Sequence, residues 1–369
     1  MTCDFFALAT QGVQGLRPYQ PGKPIEELER ELGIAGITKL ASNENPLGPS
    51  DASLKAVSAC ISELSRYPDG NGFVLKQALV NNLSVDLNQI TLGNGSNDVL
   101  DLIARAFLSP GDEAIFSEFA FAVYPIATQS VGAVAVEVPA MNWGHDLSAM
   151  LDAVTSKTRV VFLANPNNPT GTWFSEQTLV RFMDQVSESV IVVLDEAYFE
   201  YVEEGAYTNG VALVTKYPNL IVTRTFSKAY GLAGLRVGYG ISHQDIANLL
   251  NRVRQPFNVD LPALVAATAA LSDTDYLKKG CKVNSDGIAQ LYQGFESLQL
   301  EYIPSVGNFV CVDFKENAQP IYDELLRKGV IVRPVANYKM PTFLRVSVGL
   351  HRENEKFLIA LRKVLKSRR

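Results

Sequence analysis

Residues 190–198, VIVVLDEAY, join an uninterrupted apolar run to two carboxylates and a tyrosine. The segment RVVFLANP (159–166) has the same form, and shorter apolar runs occur at 113–118, 133–140 and 219–226. Strands that are buried on both faces lack polar alternation, and helices on both faces of a parallel sheet bury them in this way. Because helical segments separate these runs, the pattern predicts an α/β fold with a large, mostly parallel sheet.

The length of the chain predicts more than one domain. Its 369 residues exceed the roughly 250–300 at which a single core stops growing. We expect a large sheet domain over residues 46–260 with helices on both faces. Longer helices and the apolar strands NFVCVDF (308–314) and TFLRVSVGL (342–350) predict a smaller α+β domain over 261–369. Residues 1–45 are expected to form an arm that packs with this smaller domain.

Composition excludes several classes of protein. The net charge is -6 and no block of Lys and Arg occurs, which argues against nucleic-acid binding. No apolar run approaches the roughly 20 residues that span a bilayer, and the N-terminus lacks the basic start of a signal peptide. The scattered cysteines and histidines fit no metal-ligand spacing, and the scattered cysteines favour a reduced, cytoplasmic setting. They are Cys3, Cys60, Cys281, Cys311, His145, His243 and His351.

Polar clusters follow the apolar runs, where open α/β sheets bind their ligands. In GNGSND (93–98), Ser96 is a good N-cap for a helix that begins near Asn97, and the helix N-terminus suits a phosphate. A plain capped helix is the alternative. The segment ANPNNPTG (164–171) predicts a rigid loop with directed amides, or simply a loop with Asx-turns.

The carboxylate of Asp195 ends a buried strand and therefore needs a cation. Either Arg224 or a protonated ring nitrogen of a ligand would serve, and Tyr198 could donate its hydroxyl to the same ligand. A structural ion pair at the sheet edge is the alternative for Asp195.

The stretch RTFSKAYGLAGLR (224–236) places an amine among hydroxyls and a guanidinium. Thr225 and Ser227 supply hydroxyls, Lys228 an amine and Arg236 a bidentate phosphate clamp. Taken singly, each residue fits a solvated loop. Together with the clusters above, they predict a site for pyridoxal 5′-phosphate. Its chemistry requires a protonated pyridine nitrogen, which a buried aspartate maintains, and an imine to a lysine whose pKa is lowered.

The motifs NPNNPTG (165–171), DEAY (195–198) and SKAYGLAGLR (227–236), in this order and spacing, resemble those of fold-type I aminotransferases. The N-terminal segments LRPYQPGKPIEELERELG (16–33) and LASNENPLGPS (40–50) are especially similar to the histidinol-phosphate aminotransferase family. The resemblance extends from about residue 15 to the last helix, and it implies a fold-type I PLP-transferase.

The resemblance implies roles for individual residues. Lys228 matches the lysine that forms the imine, and Asp195 the partner of the pyridine nitrogen. Tyr198 and Asn168 match the positions that bond the 3-hydroxyl of the ring. The positions implied for the cofactor phosphate are Ser96, Asn97, Thr225, Ser227 and Arg236. Tyr124 matches the aromatic residue that stacks on the ring. Tyr67 matches a residue that reaches the cofactor phosphate of the neighbouring subunit, which implies a homodimer.

The resemblance also implies a substrate. Arg345, with Arg333 and Tyr19, matches the positions that grip the substrate phosphate, and Asn43 is a further position implied for substrate binding, so transamination of L-histidinol phosphate with 2-oxoglutarate follows. Elsewhere in the superfamily the arginine at the position of Arg345 binds the α-carboxylate, and a guanidinium suits either anion. The alternatives are an aromatic amino acid aminotransferase and an O-phosphothreonine decarboxylase, a reaction that relatives with similar motifs perform. In ANYKMPTFLR (336–345) this chain departs from the family, because Lys339 replaces a glycine and Met340 a leucine near the expected substrate end.

Overall fold

The large sheet is mixed but mostly parallel. The computed structural model describes residues 3–18 and 22–368. Seven strands form this sheet in the order β2-β8-β7-β6-β5-β3-β4, and every neighbouring pair is parallel except the two that involve β8. The strands of the chain are β1 (Thr38–Lys39), β2 (Ile90–Gly93), β3 (Glu113–Ser117), β4 (Val134–Val138), β5 (Thr158–Ala164), β6 (Ile191–Asp195), β7 (Leu220–Thr225), β8 (Gly238–Ile241), β9 (Glu301–Ile303), β10 (Phe309–Asp313), β11 (Val330–Ile331), β12 (Arg333–Pro334) and β13 (Phe343–Ser347).

The apolar runs form the central strands because both faces of the sheet are covered. Along β5, Val161 and Leu163 belong to one core layer, whereas Val160 and Phe162 belong to the other. Helices α5, α8, α9 and α11 cover the first face, and α6, α7 and α10 cover the second. The α/β prediction is confirmed.

The helices are α1 (Phe5–Leu8), α2 (Gln11–Gln14), α3 (Ile25–Leu32), α4 (Asp51–Cys60), α5 (Phe73–Leu83), α6 (Ser96–Phe107), α7 (Val123–Ser130), α8 (Leu147–Asp152), α9 (Glu176–Met183), α10 (Gln244–Val253), α11 (Leu261–Ser272), α12 (Thr274–Ser297), α13 (Gln319–Arg327) and α14 (His351–Arg368). Among the described residues, none of these helices has both the length and the apolar content needed to cross a bilayer.

A second sheet, with strand order β12-β13-β10-β9, is antiparallel. Helices α12, α13 and α14 pack on it around a separate apolar core. The N-terminal segment joins this part of the molecule, because β1 pairs with β11 and Leu28 packs against Ile331. The boundary predicted after residue 260 needs correction, since α11 packs into the core of the large sheet. We propose a boundary after Ser272.

Candidate active site

A cavity of about 270 Å³ lies beyond the carboxyl ends of β5, β6 and β7. Most of the predicted site residues line it, although they come from distant parts of the chain. They are Asn43, Ser96, Asn97, Tyr124, Asn168, Asp195, Tyr198, Thr225, Ser227, Lys228, Arg236, Arg333 and Arg345. Tyr67 lies outside the cavity with 83 % of its surface exposed, where it stacks on Phe257. Tyr19 falls outside the described residues.

One end of the cavity suits an anion. Helix α6 begins at Ser96 and its N-cap is Gly95, so the prediction of Ser96 as N-cap was wrong by one position. The N–H groups of Ser96 and Asn97 have no acceptor within the helix, and the helix dipole is positive here. Gly95 has φ +82°, and a Cβ built on it would lie 2.5 Å from the guanidinium of Arg236. This close approach leaves backbone amides and Arg236 facing the same space.

Strand β8, GYGI, was not predicted because it lacks an apolar run. A Cβ built on Gly238 would lie 2.4 Å from the backbone nitrogen of Ser96. A side chain at this position would therefore push the start of α6 away from the sheet. Two hydroxyls at and just after the end of β7 complete this end of the cavity: Ser227 accepts from Arg236 over 3.2 Å, and its backbone N–H donates to Thr225 over 3.1 Å.

Asp195 lines the cavity, and its carboxylate is hydrogen-bonded by two hydroxyls. Its oxygens accept hydrogen bonds from the hydroxyls of Tyr124 (2.8 Å) and Thr223 (3.1 Å). Burial raises the pKa of Asp195, and these hydrogen bonds oppose the rise. The alternative that Arg224 pairs with Asp195 is wrong, because Arg224 pairs with Glu196 over 2.6 Å. A cation supplied by a ligand remains as the predicted partner.

Tyr124 is fully buried at the wall of the cavity. Its ring lies parallel to that of Phe162, with centroids 4.8 Å apart, and its hydroxyl faces Asp195. Sequence alone did not indicate the contact with Asp195. Stacking of Tyr124 on a bound ring stays a prediction.

Lys228 has the electrostatic surroundings of a reactive amine. Its Nζ donates to the backbone carbonyl of Ser42 over 3.2 Å. Burial, followed by the charges of Arg345 and Arg236, lowers the pKa of Lys228 from 10.5 to about 8, and this value already includes the opposing effects of Glu44 and Asp195. A neutral amine is therefore accessible near physiological pH.

At the cavity, Tyr198 contacts the N-terminal segment and Asn168 contacts the small domain. The hydroxyl of Tyr198 accepts from Nδ2 of Asn43 over 2.9 Å, and burial raises its pKa to about 12. Asn168 accepts from Nη1 of Arg345. Asn43, which was predicted to bind substrate, thus contacts a predicted cofactor residue directly.

Two guanidiniums lie at the other end of the cavity. Arg333 on β12 and Arg345 on β13 are opposite each other in the antiparallel pair. Nη2 of Arg345 donates to the carbonyl of Ala41 over 3.0 Å, whereas its buried Nε has no hydrogen-bond partner among the described residues. Guanidiniums suit phosphates and carboxylates alike.

Residues 35–361 match the family model for aminotransferase class I and II. The chain belongs to this family.

Individual members of this family are similar to the chain over almost its whole length. A histidinol-phosphate aminotransferase 2 of Pseudomonas aeruginosa is 62% identical over 98% of this chain and 99% of that protein. A histidinol-phosphate aminotransferase 1 of Nitrosococcus oceani is 57% identical over 98% of each chain. A crystal structure of histidinol-phosphate aminotransferase from Sinorhizobium meliloti in complex with pyridoxal-5'-phosphate has a TM-score of 0.90 at 31% identity, covering 98% of both chains. The predicted resemblance is confirmed, and the chain is an aminotransferase.

Lys339 and Met340, the two residues in 336–345 that depart from the family pattern, do not line the cavity. Lys339 forms an ion pair with Glu137, and its backbone has φ 62°, a conformation that glycine adopts without strain. Met340 is buried beside Phe119 and Phe343. The charge of Lys339 is therefore engaged outside the cavity.

Proposed function

We propose that this aminotransferase binds pyridoxal 5′-phosphate and transfers the amino group of L-histidinol phosphate to 2-oxoglutarate, in the biosynthesis of histidine. The observation that carries the proposal is a cavity lined by two groups whose chemistry suits anions. One is the start of α6 with Arg236, and the other is the pair Arg333 and Arg345. Lys228 and Asp195 lie in the same cavity.

The residues present fit the cofactor. Gly95 allows backbone amides and Arg236 to share the phosphate end, where any larger residue would crowd the guanidinium. Asp195 offers a buried carboxylate that is hydrogen-bonded only by hydroxyls among the side chains described. When bound, pyridoxal phosphate supplies an electron sink for the carbon that carries the transferred amine.

The side chains of this protein then hold and move protons. Asp195 holds a proton on a ring nitrogen by its charge, and Tyr198 donates its hydroxyl to a ring oxygen. The pKa of Lys228, lowered to about 8 chiefly by burial and then by the charge of Arg345, lets Nζ take a proton from the substrate carbon and return it at neutral pH. No histidine is among the described residues that line the cavity, so this lysine is the general base that we assign.

The substrate assignment rests on the pair of guanidiniums. Histidinol phosphate has a phosphate and no carboxylate, so it would use Arg333 and Arg345 through its phosphate. 2-Oxoglutarate would bind the same pair through a carboxylate, which explains how one cavity serves both halves of the reaction. The names of the relatives support histidinol phosphate as the donor.

A single-turnover titration tests the assignment. The enzyme loaded with pyridoxal phosphate is mixed with histidinol phosphate, phenylalanine or O-phosphothreonine in turn, without a keto acid. We expect histidinol phosphate to remove the visible cofactor band at micromolar concentration, and phenylalanine to need far more. If phenylalanine acts equally well, the enzyme is an aromatic aminotransferase. Release of carbon dioxide from O-phosphothreonine would make it a decarboxylase. The variant Lys228→Ala, which lacks the amine, should show neither the band nor turnover.

We also propose a homodimer in which Tyr67 completes the phosphate site of the neighbouring subunit. The exposure of Tyr67 and Phe257 supports this proposal. Apolar side chains on the same stretch of chain are also exposed and would be covered by a second copy. They are Ile61, Leu64, Phe73 and Val74.

Mixing two inactive variants tests the shared site. A hybrid of Lys228→Ala and Tyr67→Ala subunits contains one site with both residues intact, so remixing should restore up to about a quarter of the wild-type activity if subunits assort at random. A mixture of Lys228→Ala with Asp195→Asn is the matched control, because every site in its hybrid lacks one of the two. Equal recovery in both mixtures, or none in either, would contradict a shared site.

We infer a cytoplasmic location and no nucleic-acid partner. The net charge of -6 supports the second inference. The described cysteines are all free, which supports a reducing compartment.

A further inference from the structure

Strand β13 connects the substrate end of the cavity with the predicted ring-oxygen residues. Arg345 and Ser347 are two residues apart on this strand and therefore point to the same face. Arg345 donates to Asn168. Ser347, which is buried, contacts Asn43, and Asn43 contacts Tyr198. No sequence pattern indicated Ser347.

The hydrogen bonds around Asn43 fix the direction of its amide. Its backbone N–H donates to Oγ of Ser347 over 2.8 Å, and the hydroxyl proton of Ser347 is donated to Oδ1 of Asn43 over 2.9 Å. Because Oδ1 is thus engaged, Nδ2 is turned to the hydroxyl oxygen of Tyr198 at 2.9 Å. Asn308 donates to the carbonyl of Asn43 over 2.9 Å and holds the backbone at φ 53°.

The direction of the amide decides where the proton of Tyr198 goes. A phenol has one proton to donate, and its oxygen accepts. While Nδ2 of Asn43 donates to that oxygen, the proton has no acceptor among the described residues and can be donated into the cavity. If the amide turned over, Oδ1 would take the proton and the donor would be lost to a ligand.

We propose that Ser347 is a positioning residue that, through Asn43, keeps the hydroxyl proton of Tyr198 directed at a ring oxygen of the bound cofactor. This inference rests on the proposed function. Ser347 does not line the cavity and acts only through its neighbours. Arg345 and Ser347 lie on the same strand. In this proposal β13 therefore both binds the substrate anion, through Arg345, and orients the hydroxyl of Tyr198, through Ser347 and Asn43.

The absorption of the bound cofactor as a function of pH tests this role. The cofactor has an anionic ring oxygen next to its aldehyde carbon, so losing a donor to that oxygen strengthens the hold of the lysine-bound nitrogen on its proton. In Ser347→Ala we expect the pH midpoint of the visible band to rise by about half a unit to one unit, the size of one lost hydrogen bond. Ser347→Thr, which keeps the hydroxyl, should restore the wild-type midpoint.

Three comparisons separate positioning from a structural effect. Ser242→Ala removes a buried serine hydroxyl outside the cavity and should leave the midpoint unchanged. Asn43→Asp, which cannot donate to Tyr198, should raise the midpoint. Adding Ser347→Ala to Tyr198→Phe should produce no shift beyond that of Tyr198→Phe alone.

The proposal is overturned if Ser347→Ala matches Ser242→Ala, or if it shifts the midpoint equally in the Tyr198→Phe background. Failure of the proposed function would look different, because the wild-type protein would then show no visible band with pyridoxal phosphate at any pH.

Discussion

Replacing Arg345 with Gln tests the electrostatics of Lys228. The pKa of Lys228 is lowered from 10.5 to about 8, with burial as the largest cause and the charge of Arg345 as the next. At pH 7 roughly a tenth of the amines would then be neutral, about 300 times the fraction of an ordinary lysine. Burial remains in Arg345→Gln while a positive charge is lost. We therefore expect the pKa to rise by on the order of one unit and the neutral fraction at pH 7 to fall about tenfold.

The assay is the rate at which the apoenzyme combines with pyridoxal between pH 6 and pH 10.5, followed by absorbance. Reaction of other lysines is removed by subtracting the rate of Lys228→Ala. The wild-type rate should rise about tenfold per pH unit and level off near pH 8, and the midpoint of Arg345→Gln should be higher. Arg333→Gln is the matched control, since Arg333 lines the same cavity but is not a main cause of the low pKa. A wild-type midpoint near 10.5, or identical shifts in both arginine variants, would refute the reasoning.

The same pKa predicts how the stability of the apoenzyme depends on pH. The folded protein disfavours the ammonium form of Lys228, and a drop from 10.5 to about 8 corresponds to about 3 kcal/mol. Between pH 8 and pH 10.5 the unfolded chain holds a proton that the folded chain has released, so stability rises with pH through this window. Urea unfolding of wild type and Lys228→Met should show the wild type gaining up to this amount relative to the variant.

Three further substitutions have distinct expected outcomes. Asp195→Asn should retain the cofactor, seen by absorbance, yet lower kcat by roughly 100-fold or more, because its charge no longer holds a proton on the ring nitrogen. Glu196→Ala should lower the free energy of unfolding in urea by about 3–5 kcal/mol, because Arg224 is only 3 % exposed and would lose its buried partner. Gly95→Ala should crowd Arg236 and weaken binding of pyridoxal phosphate by about 10- to 100-fold in an equilibrium titration, while binding of pyridoxal, which has no phosphate, changes little.

Matched controls sharpen the last two predictions. Glu137→Ala also removes one partner of an ion pair, but its partner Lys339 is exposed, so a loss of under about 1 kcal/mol is expected. Gly111 has φ +94° and nothing near its Cβ position. Gly111→Ala therefore carries the same backbone strain as Gly95→Ala without touching the cavity. Equal losses of cofactor affinity in both glycine variants would contradict a role for Gly95 in phosphate binding.

The predicted residues came together because of where they lie relative to buried strands. Asp195 follows β6, Asn168 follows β5 and Lys228 follows β7, and the carboxyl ends of parallel strands meet at one edge of a sheet. Uninterrupted apolar runs determine this arrangement locally, so the sequence alone was enough to predict the α/β fold. The roles of these residues toward the cofactor came from family motifs and await the experiments above.

The partners of these residues could not be predicted, since they are contacts between segments far apart in the chain. Arg224 and Asp195 both lie near the carboxyl ends of neighbouring strands, β7 and β6, which made an ion pair between them plausible. Consecutive side chains on a strand point to opposite faces, so Thr223 contacts Asp195 whereas Arg224 pairs with Glu196. Tyr124 reaches Asp195 only because α7 packs beside β5 and β6.

The local sequence pattern therefore determined which residues end buried strands, because burial on both faces requires an apolar residue at almost every position of the strand. Only the tertiary structure decided how the cavity is tuned. Ser347 lies 304 positions from Asn43, and their hydrogen bonds exist because the small domain packs its strand β13 against the N-terminal segment. Such a contact leaves no periodic signal in the sequence, since a single buried hydroxyl has the same local pattern wherever its partner lies.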